Sequence, residues 1–274
     1  MEAKDTGIIL SIQDVSKSFP DVKALDNVSI EIARGSVHGI VGENGAGKST
    51  LMKILSGVYT KDAGRVVFDG EVIEHTTPIE SLNRGLSIIY QEFNLVNTMS
   101  VGENIFLGRF GEMHGMRGTH AEARRLLDSI GCTIDTRKLV GELSAAETQM
   151  VEITKALSYQ SKLIIMDEPS SSLTSDELKQ LFSIIGDLKA RGVSIIYISH
   201  KLDEIFELCD IVTVMRDGHV IDTKPVQELT RADMITKMVG RSIEHEYPER
   251  PHCAGETLLE VRSINTKKLH DISF

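Results

Sequence analysis

Short, nearly all-apolar runs alternate along the chain with longer stretches whose apolar residues recur every three or four positions. The short runs predict strands over residues 37–41, 86–90, 163–167, 193–199 and 211–215, and the longer ones predict helices over 48–56, 146–157, 175–190 and 202–208. Several of the strands lack a polar alternate face, as strands covered on both sides do. Strand and helix in this rhythm imply an α/β fold with a mainly parallel sheet flanked by helices.

The rhythm breaks after residue 242. Residues 243–256 are polar and carry Pro248 and Pro251, two of the six prolines, which marks a linker over 243–257. Beyond it, Leu259-Glu260-Val261-Arg262-Ser263-Ile264-Asn265 echoes Leu10-Ser11-Ile12-Gln13-Asp14-Val15-Ser16, and Leu269-His270-Asp271-Ile272-Ser273-Phe274 echoes Leu25-Asp26-Asn27-Val28-Ser29-Ile30. The expected organisation is one domain over 8–242 and, from 258 to 274, a second copy truncated after its opening strands. Chance likeness of two β-rich stretches is the competing explanation.

Composition narrows the class. At 274 residues the chain has room for one large domain or two small ones, and 41% hydrophobic with 26% charged residues is ordinary for a globular protein. A net charge of -10 argues against a general affinity for nucleic acid. Cys132, Cys209 and Cys253 form no CxxC pair, and the nine histidines are scattered, so neither a disulfide framework nor a resident metal cluster is expected. A reducing, cytoplasmic setting is the simplest home. No apolar run approaches the roughly 20 residues of a membrane helix, so any membrane role is expected to come through a partner.

The chemistry begins at Gly42-Glu43-Asn44-Gly45-Ala46-Gly47-Lys48-Ser49, a GxxxxGK[ST] loop between an apolar strand and the amphipathic run that starts at Thr50. Gly45 and Gly47 let backbone N–H groups turn inward around a phosphate, and the positive end of the following helix favours the same anion. Lys48 is expected to reach the β- and γ-phosphates and the Ser49 hydroxyl to hold magnesium. Leu163-Ile164-Ile165-Met166-Asp167-Glu168 then brings two carboxylates to a strand end, where neighbouring side chains point to opposite sides. Asp167 suits the metal and Glu168 suits the attacking water. A GTPase would also carry an Asn-Lys-x-Asp base reader, which this sequence lacks.

With these motifs in their order, the chain resembles the ATP-binding cassette (ABC) transporter ATPases over essentially the whole of residues 10–241. The resemblance implies a P-loop NTPase core, an antiparallel β subdomain and an α-helical signature subdomain. It gives Gln91 the role of the Q-loop glutamine, which touches magnesium and faces the membrane partner. Leu143-Ser144-Ala145-Ala146-Glu147 takes the place of the LSGGQ signature acting in trans on a second cassette, His200 that of the switch histidine at the γ-phosphate, and Phe19 that of the aromatic stacked on adenine. Implied ligands are ATP and Mg2+, the metal held by Ser49, Gln91 and Asp167.

Within the family the likeness is to the first half of tandem ATPases of the ribose, galactose and arabinose import type. It is carried by Ile88-Ile89-Tyr90-Gln91-Glu92, Gln149-Met150-Val151-Glu152-Ile153, Tyr197-Ile198-Ser199-His200-Lys201 and Val239-Gly240-Arg241. Implied partners are integral-membrane permease subunits, a second cassette and, indirectly, an extracytoplasmic sugar-binding protein, with the chain peripheral on the cytoplasmic face of the membrane. An ABC-type binding module with little hydrolysis, or a soluble ABC ATPase outside transport, is the alternative. Ala145-Ala146 departs from the signature's glycine pair, and Leu173-Thr174 from the usual Leu-Asp of the loop that crosses to the partner cassette. For Ala145-Ala146 the favoured reading is that this branch of the family tolerates small residues there, and the sharper one is a weaker composite site. Leu173-Thr174 raises the expectation of asymmetric communication between the two sites.

Overall fold

The computed structural model describes residues 7–110, 115–240 and 259–274; the linker expected over 243–257 and Cys253 lie outside the described residues. The chain divides into two units, Met1–Arg241 and Ser242–Phe274.

Two sheets organise the first unit. Strands β1 (Ile8–Phe19), β2 (Val22–Ala33), β4 (Ala63–Phe68) and β5 (Glu71–Ile73) form an antiparallel sheet in the order β2-β1-β4-β5. Strands β3 (Val37–Val41), β6 (Leu86–Ile89), β7 (Leu163–Asp167), β8 (Ser194–Ile198), β9 (Ile211–Arg216) and β10 (His219–Pro225) form the second sheet, in the order β10-β9-β3-β8-β7-β6. Its strands run parallel except β10, which pairs antiparallel with β9. Eight helices accompany the sheets among the described residues: α1 (Lys48–Leu55), α2 (Pro78–Arg84), α3 (Val101–Ile105), α4 (Met116–Ser129), α5 (Ala145–Leu157), α6 (Ser175–Ala190), α7 (Leu202–Leu208) and α8 (Arg231–Val239).

The core strands read as all-apolar because both sheet faces are covered. Ile165, Ile196 and Ile198 face one core with Leu10, Ile12 and Val28 of the antiparallel sheet and Leu51 and Leu55 of α1. Their sequence neighbours Ile164, Met166, Ile195 and Tyr197 face the other, with Val151 and Ile153 of α5 and Leu181 and Ile185 of α6. Each such aliphatic side chain contributes about 1.5–3 kcal/mol by its burial. The expected α/β architecture, parallel sheet and separate antiparallel sheet included, is the one observed.

Element ends differ from expectation by about one residue. Tyr90 and Ser199 fall outside their strands because the ladders close at Ile89↔Met166 and Asp167↔Ile198. Arg216 belongs to β9 because it pairs with His219 across the turn. Helix α5 begins at Ala145, one residue early, because Ser144 caps it.

In the second unit, Val261 and Phe274 exchange backbone hydrogen bonds of 2.8 and 3.0 Å, and Ile264 pairs with Ile272. The aligned pairs of β1 and β2 are Ile12↔Ile30 and Val15↔Val28. Left-handed residues recur with them, Asp14 (φ 49°) and Asn27 (φ 50°) in the first unit, Ser263 (φ 49°) and Asp271 (φ 51°) in the second. So do the side-chain braces: the Asp14 N–H donates to Ser29 Oγ at 2.9 Å, and the Ser263 N–H donates to Ser273 Oγ at 2.9 Å. The second hairpin turns through residues 266–268 where the first uses 17–24, and Phe19 has no counterpart in it.

Candidate nucleotide site

Strand β3 delivers the glycine-rich loop, and two of its glycines are there for space. A Cβ on Gly42 would lie 2.3 Å from the Met215 carbonyl oxygen, and one on Gly47, at φ 99°, would lie 2.6 Å from that of Ala24. Gly45 also has positive φ but faces open space, so its backbone rather than its packing requires glycine. Gly47 stands at the N-cap of α1 with no side-chain cap. The first-turn amides of Lys48, Ser49 and Thr50 are thus left for a ligand, at the end of the helix that attracts anions.

Lys48 Nζ donates to the carbonyl oxygens of Gly42 at 2.6 Å and Glu43 at 3.0 Å. Burial pulls its ammonium below the ordinary lysine range, against the charges of Glu168 and Asp167. Asp167 is displaced upward: burial first, then the neighbouring Glu168 charge, with Lys48 and Lys53 opposing. A half-buried acid pushed toward its neutral form beside a second acid is stabilised by a divalent cation. Ser49, Gln91 and Asp167 line one cleft of about 660 Å³, so the three residues expected to hold magnesium share a space and present oxygen donors suited to it.

Gly42, Glu43, Asn44, Gln91, Glu168 and His200 line a second cleft of about 690 Å³. Gln91 borders both clefts. Glu168 occupies the left-handed region at φ 47°, uncommon for a residue other than glycine. Its N–H donates to the Ile198 carbonyl at 3.0 Å, and its Oε1 lies 3.0 Å from His200 Nδ1. The two acids diverge, Asp167 at the end of β7 bordering one cleft and the left-handed Glu168 just past it bordering the other.

Two groups of expected residues stand apart from these clefts. Phe19, 38% exposed, meets Tyr59 edge-to-face at 5.4 Å with Lys17 Nζ 5.7 Å from its ring centre, and it borders neither cleft. In the signature, Ser144 and Glu147 form the capping box of α5, the Ser144 N–H donating to Glu147 Oε2 at 2.8 Å. Leu143 packs against the helical side of the core, and Ala145 and Ala146 are the first two helical residues. None of the five borders the loop clefts.

One arrangement escaped the sequence reading. Glu152 Oε1 accepts the Asn94 N–H at 2.6 Å, and Lys155 Nζ donates to the Asn94 carbonyl at 3.0 Å. Two residues one turn apart on α5 thus grip both polar groups of a residue just past Gln91. The available signal was a glutamate inside the otherwise apolar run Met150-Val151-Glu152-Ile153.

Residues 25–171 match the family described as ABC transporter. The chain belongs to this family. It is 46% identical over 272 residues to the galactose/methyl galactoside import ATP-binding protein MglA of Escherichia coli, and 45% identical to that of Yersinia pestis, covering 97% of this chain and 54% of each relative. The chain therefore spans about half the length of the curated relatives it matches. Among solved structures, it is similar to the ADP conformation of an ATP-binding cassette of an ABC transporter (29% identity, TM-score 0.76, covering 88% of this chain and 100% of that one). It is also similar to a nucleotide-free cassette from an ABC transporter (28% identity, TM-score 0.74, covering 86% and 98%). The family resemblance and the fold read from the sequence are both borne out.

Proposed function

We propose that this chain is the first of two ATP-binding cassettes of a monosaccharide importer and that it hydrolyses Mg-ATP. The observation that carries the hydrolytic reading is the convergence of the glycine-rich loop, Gln91, Glu168 and His200 on one cleft, with Glu168 and His200 3.0 Å apart.

In this reading the loop amides and Lys48 take the β- and γ-phosphates, Lys48 exchanging its two carbonyl contacts for phosphate oxygens. Magnesium, held by Ser49, Asp167 and Gln91, would neutralise charge between the β- and γ-phosphates. Glu168 Oε1 orients a water and accepts its proton as the water oxygen bonds to the γ-phosphorus. The bond from that phosphorus to the bridging oxygen breaks, leaving ADP and inorganic phosphate. His200 donates from Nε2 to a γ-phosphate oxygen, and Phe19 supplies a face for adenine. Catalysis of this kind is positioning plus electrostatics, so the separation of the Glu168 and His200 roles is testable. Glu168→Gln should lower hydrolysis at this site at least 100-fold while the ATP Kd stays within about threefold, in line with the size of losses for single positioned groups. Unchanged turnover refutes the assignment.

The tandem reading rests on the second unit. Its hairpin repeats the register, the left-handed residues and the serine brace of β1 and β2. Leu259, Ile264, Leu269, Ile272 and Phe274 are exposed, whereas their counterparts Leu10, Val15, Leu25, Val28 and Ile30 are buried. Such positions call for a core like the first unit's, and the matched relatives are long enough to hold one. Sugar import, permease subunits and a sugar-binding protein enter through those relatives' names. The test is co-purification of the full-length protein with a permease and sugar-stimulated ATP hydrolysis in vesicles; hydrolysis insensitive to every monosaccharide would overturn the transport reading.

A further inference from the structure

Helix α7 buries one carboxylate that the mechanism above does not use. The Glu204 side chain is 3% exposed, and its Oε2 accepts three hydroxyls: Ser170 Oγ at 2.8 Å, Tyr197 OH at 2.8 Å and Ser199 Oγ at 2.9 Å. Its Oε1 accepts no hydrogen bond and is paired by charge with Lys201 Nζ at 3.3 Å, while that ammonium donates to the Ser170 carbonyl at 3.1 Å. The Lys201 N–H donates to Ser199 Oγ at 3.0 Å, closing the network.

These partners come from three segments that meet behind the Glu168–His200 pair. Ser170 lies two residues past Glu168, Ser199 and Lys201 flank His200, and Tyr197 is in the body of β8. The strands beneath are joined by the Asp167↔Ile198 pairing and the Glu168 N–H to Ile198 bond. Past that bond the two loops part, one toward α6 and the other into α7, and Glu204 joins them again.

We propose that Glu204 is a positioning residue that holds Glu168 and His200 in their relative geometry. A buried charge is expensive unless it is paired, so a carboxylate whose Oε2 takes three hydroxyls and whose Oε1 faces an ammonium ties these four groups together. An apolar residue would fill the same volume without that constraint. Burial raises the Glu204 carboxyl, yet the bonds from Ser170, Tyr197 and Ser199 and the Lys201 charge together hold it below the ordinary glutamate range, so it stays an acceptor. Tyr197 is driven upward by burial and then by the Glu204 charge, so its hydroxyl stays a donor. Gln at 204 would keep the shape but offer one acceptor oxygen and turn an amide donor toward Lys201 or the hydroxyls.

The inference rests on the hydrolytic reading above, and the test separates the two. In the full-length protein, Glu204→Gln should lower kcat about tenfold or more with the ATP Kd within twofold, since small misplacements of reacting groups cost 10–100-fold. A merely structural role would move Kd and melting temperature together. Combined with Glu168→Gln, Glu204→Gln should add no further loss, and combined with His200→Ala the losses should be clearly less than multiplicative, because the three act as one unit. Where Glu204→Gln does not fold, Tyr197→Phe and Ser199→Ala decide, each removing one hydroxyl and each expected to lower kcat about two- to fivefold at unchanged Kd. A folded Glu204→Gln with parental kcat, multiplicative losses with His200→Ala, or hydroxyl variants at parental kcat would overturn the proposal. Full hydrolysis in Glu168→Gln would instead overturn the reading beneath it.

Discussion

Asp167 shows at a single residue how the nucleotide site is held against folding stability. Its carboxyl sits above the ordinary 3.8 in the folded chain, chiefly through burial. An acid raised in this way binds protons more tightly folded than unfolded, so its contribution to stability is most favourable when protonated and is lost as pH rises through the folded value. At pH 7 the ionised group opposes folding until a cation or ligand compensates it. Asp167→Asn is therefore expected to raise the Tm of the nucleotide-free chain at pH 7. Saturating Mg-ATP should raise the parent's stability by about 2.7 kcal/mol at a hundredfold excess over Kd, and the Asn variant should lose most of that gain. Thermal unfolding with and without Mg-ATP reads both effects, and an Asn variant less stable than the parent in both conditions would refute the argument. The signature alanines carry no comparable tension. Ala145 and Ala146 open α5 without a left-handed φ, so nothing in the backbone there asks for glycine. Thr174 likewise caps α6 through Glu177, chemistry that an aspartate at the same place would equally supply.

At the scale of elements, what the sequence made legible was decided by whether burial and pairing followed a simple period. Strands β3 and β7 and helices α6 and α7 were readable to the residue, because two covered sheet faces and apolar helical stripes write themselves directly into sequence. The antiparallel sheet was not readable from periodicity. Register shifts between Ile12 and Val15 and again before Lys17, with Asp14 left-handed, break the alternation of β1. It was foreseen only through the family resemblance. The loop, Asp167 and Glu168 were legible as motifs, whereas the grip of α5 on Asn94 and the Ser170 contact of Glu204 span 58 and 34 residues, which no local pattern announces. His38 is another such case. It is buried in the middle of β3 with Nε2 2.8 Å from Thr213 Oγ1, which is 2.8 Å from Thr223 Oγ1, and burial pushes its pKa down to about 4. An imidazole kept neutral in the fold but protonated from about 6.5 in the unfolded chain removes stability as pH falls from 6.5 toward 4. The loss is on the order of 3 kcal/mol at 1.4 kcal/mol per pKa unit. His38→Val should flatten the acid limb of the stability curve between those values by about that amount, measured by denaturant unfolding at stepped pH. An unchanged limb would place the acid sensitivity elsewhere.

The whole molecule poses a question of completeness. The glycine-rich loop, Asp167, Glu168 and His200 line the two clefts, while residues 143–147 border neither. In the proposed tandem arrangement the segment 143–147 would serve a facing cassette, and without that cassette the γ-phosphate side of the cleft would stay open to water. Hydrolysis by preorganised charge depends on excluding that water. The isolated chain should therefore bind Mg-ATP and turn it over slowly, and the full-length protein should exceed it at least tenfold per cassette. Ser144→Arg separates the two arrangements. If the signature acts in trans, the bulky cation should leave ATP affinity of the isolated chain within twofold, because Ser144 lines no part of its own cleft. It should also lower turnover of the full-length protein at least tenfold by obstructing the facing site, consistent with the 10–100-fold losses that misplacement at a reacting centre produces. Isothermal titration on the chain and steady-state hydrolysis by the full-length protein give the two readings. A loss of affinity in the isolated chain would mean that the signature serves its own cleft, and the case for a facing cassette would fall with it.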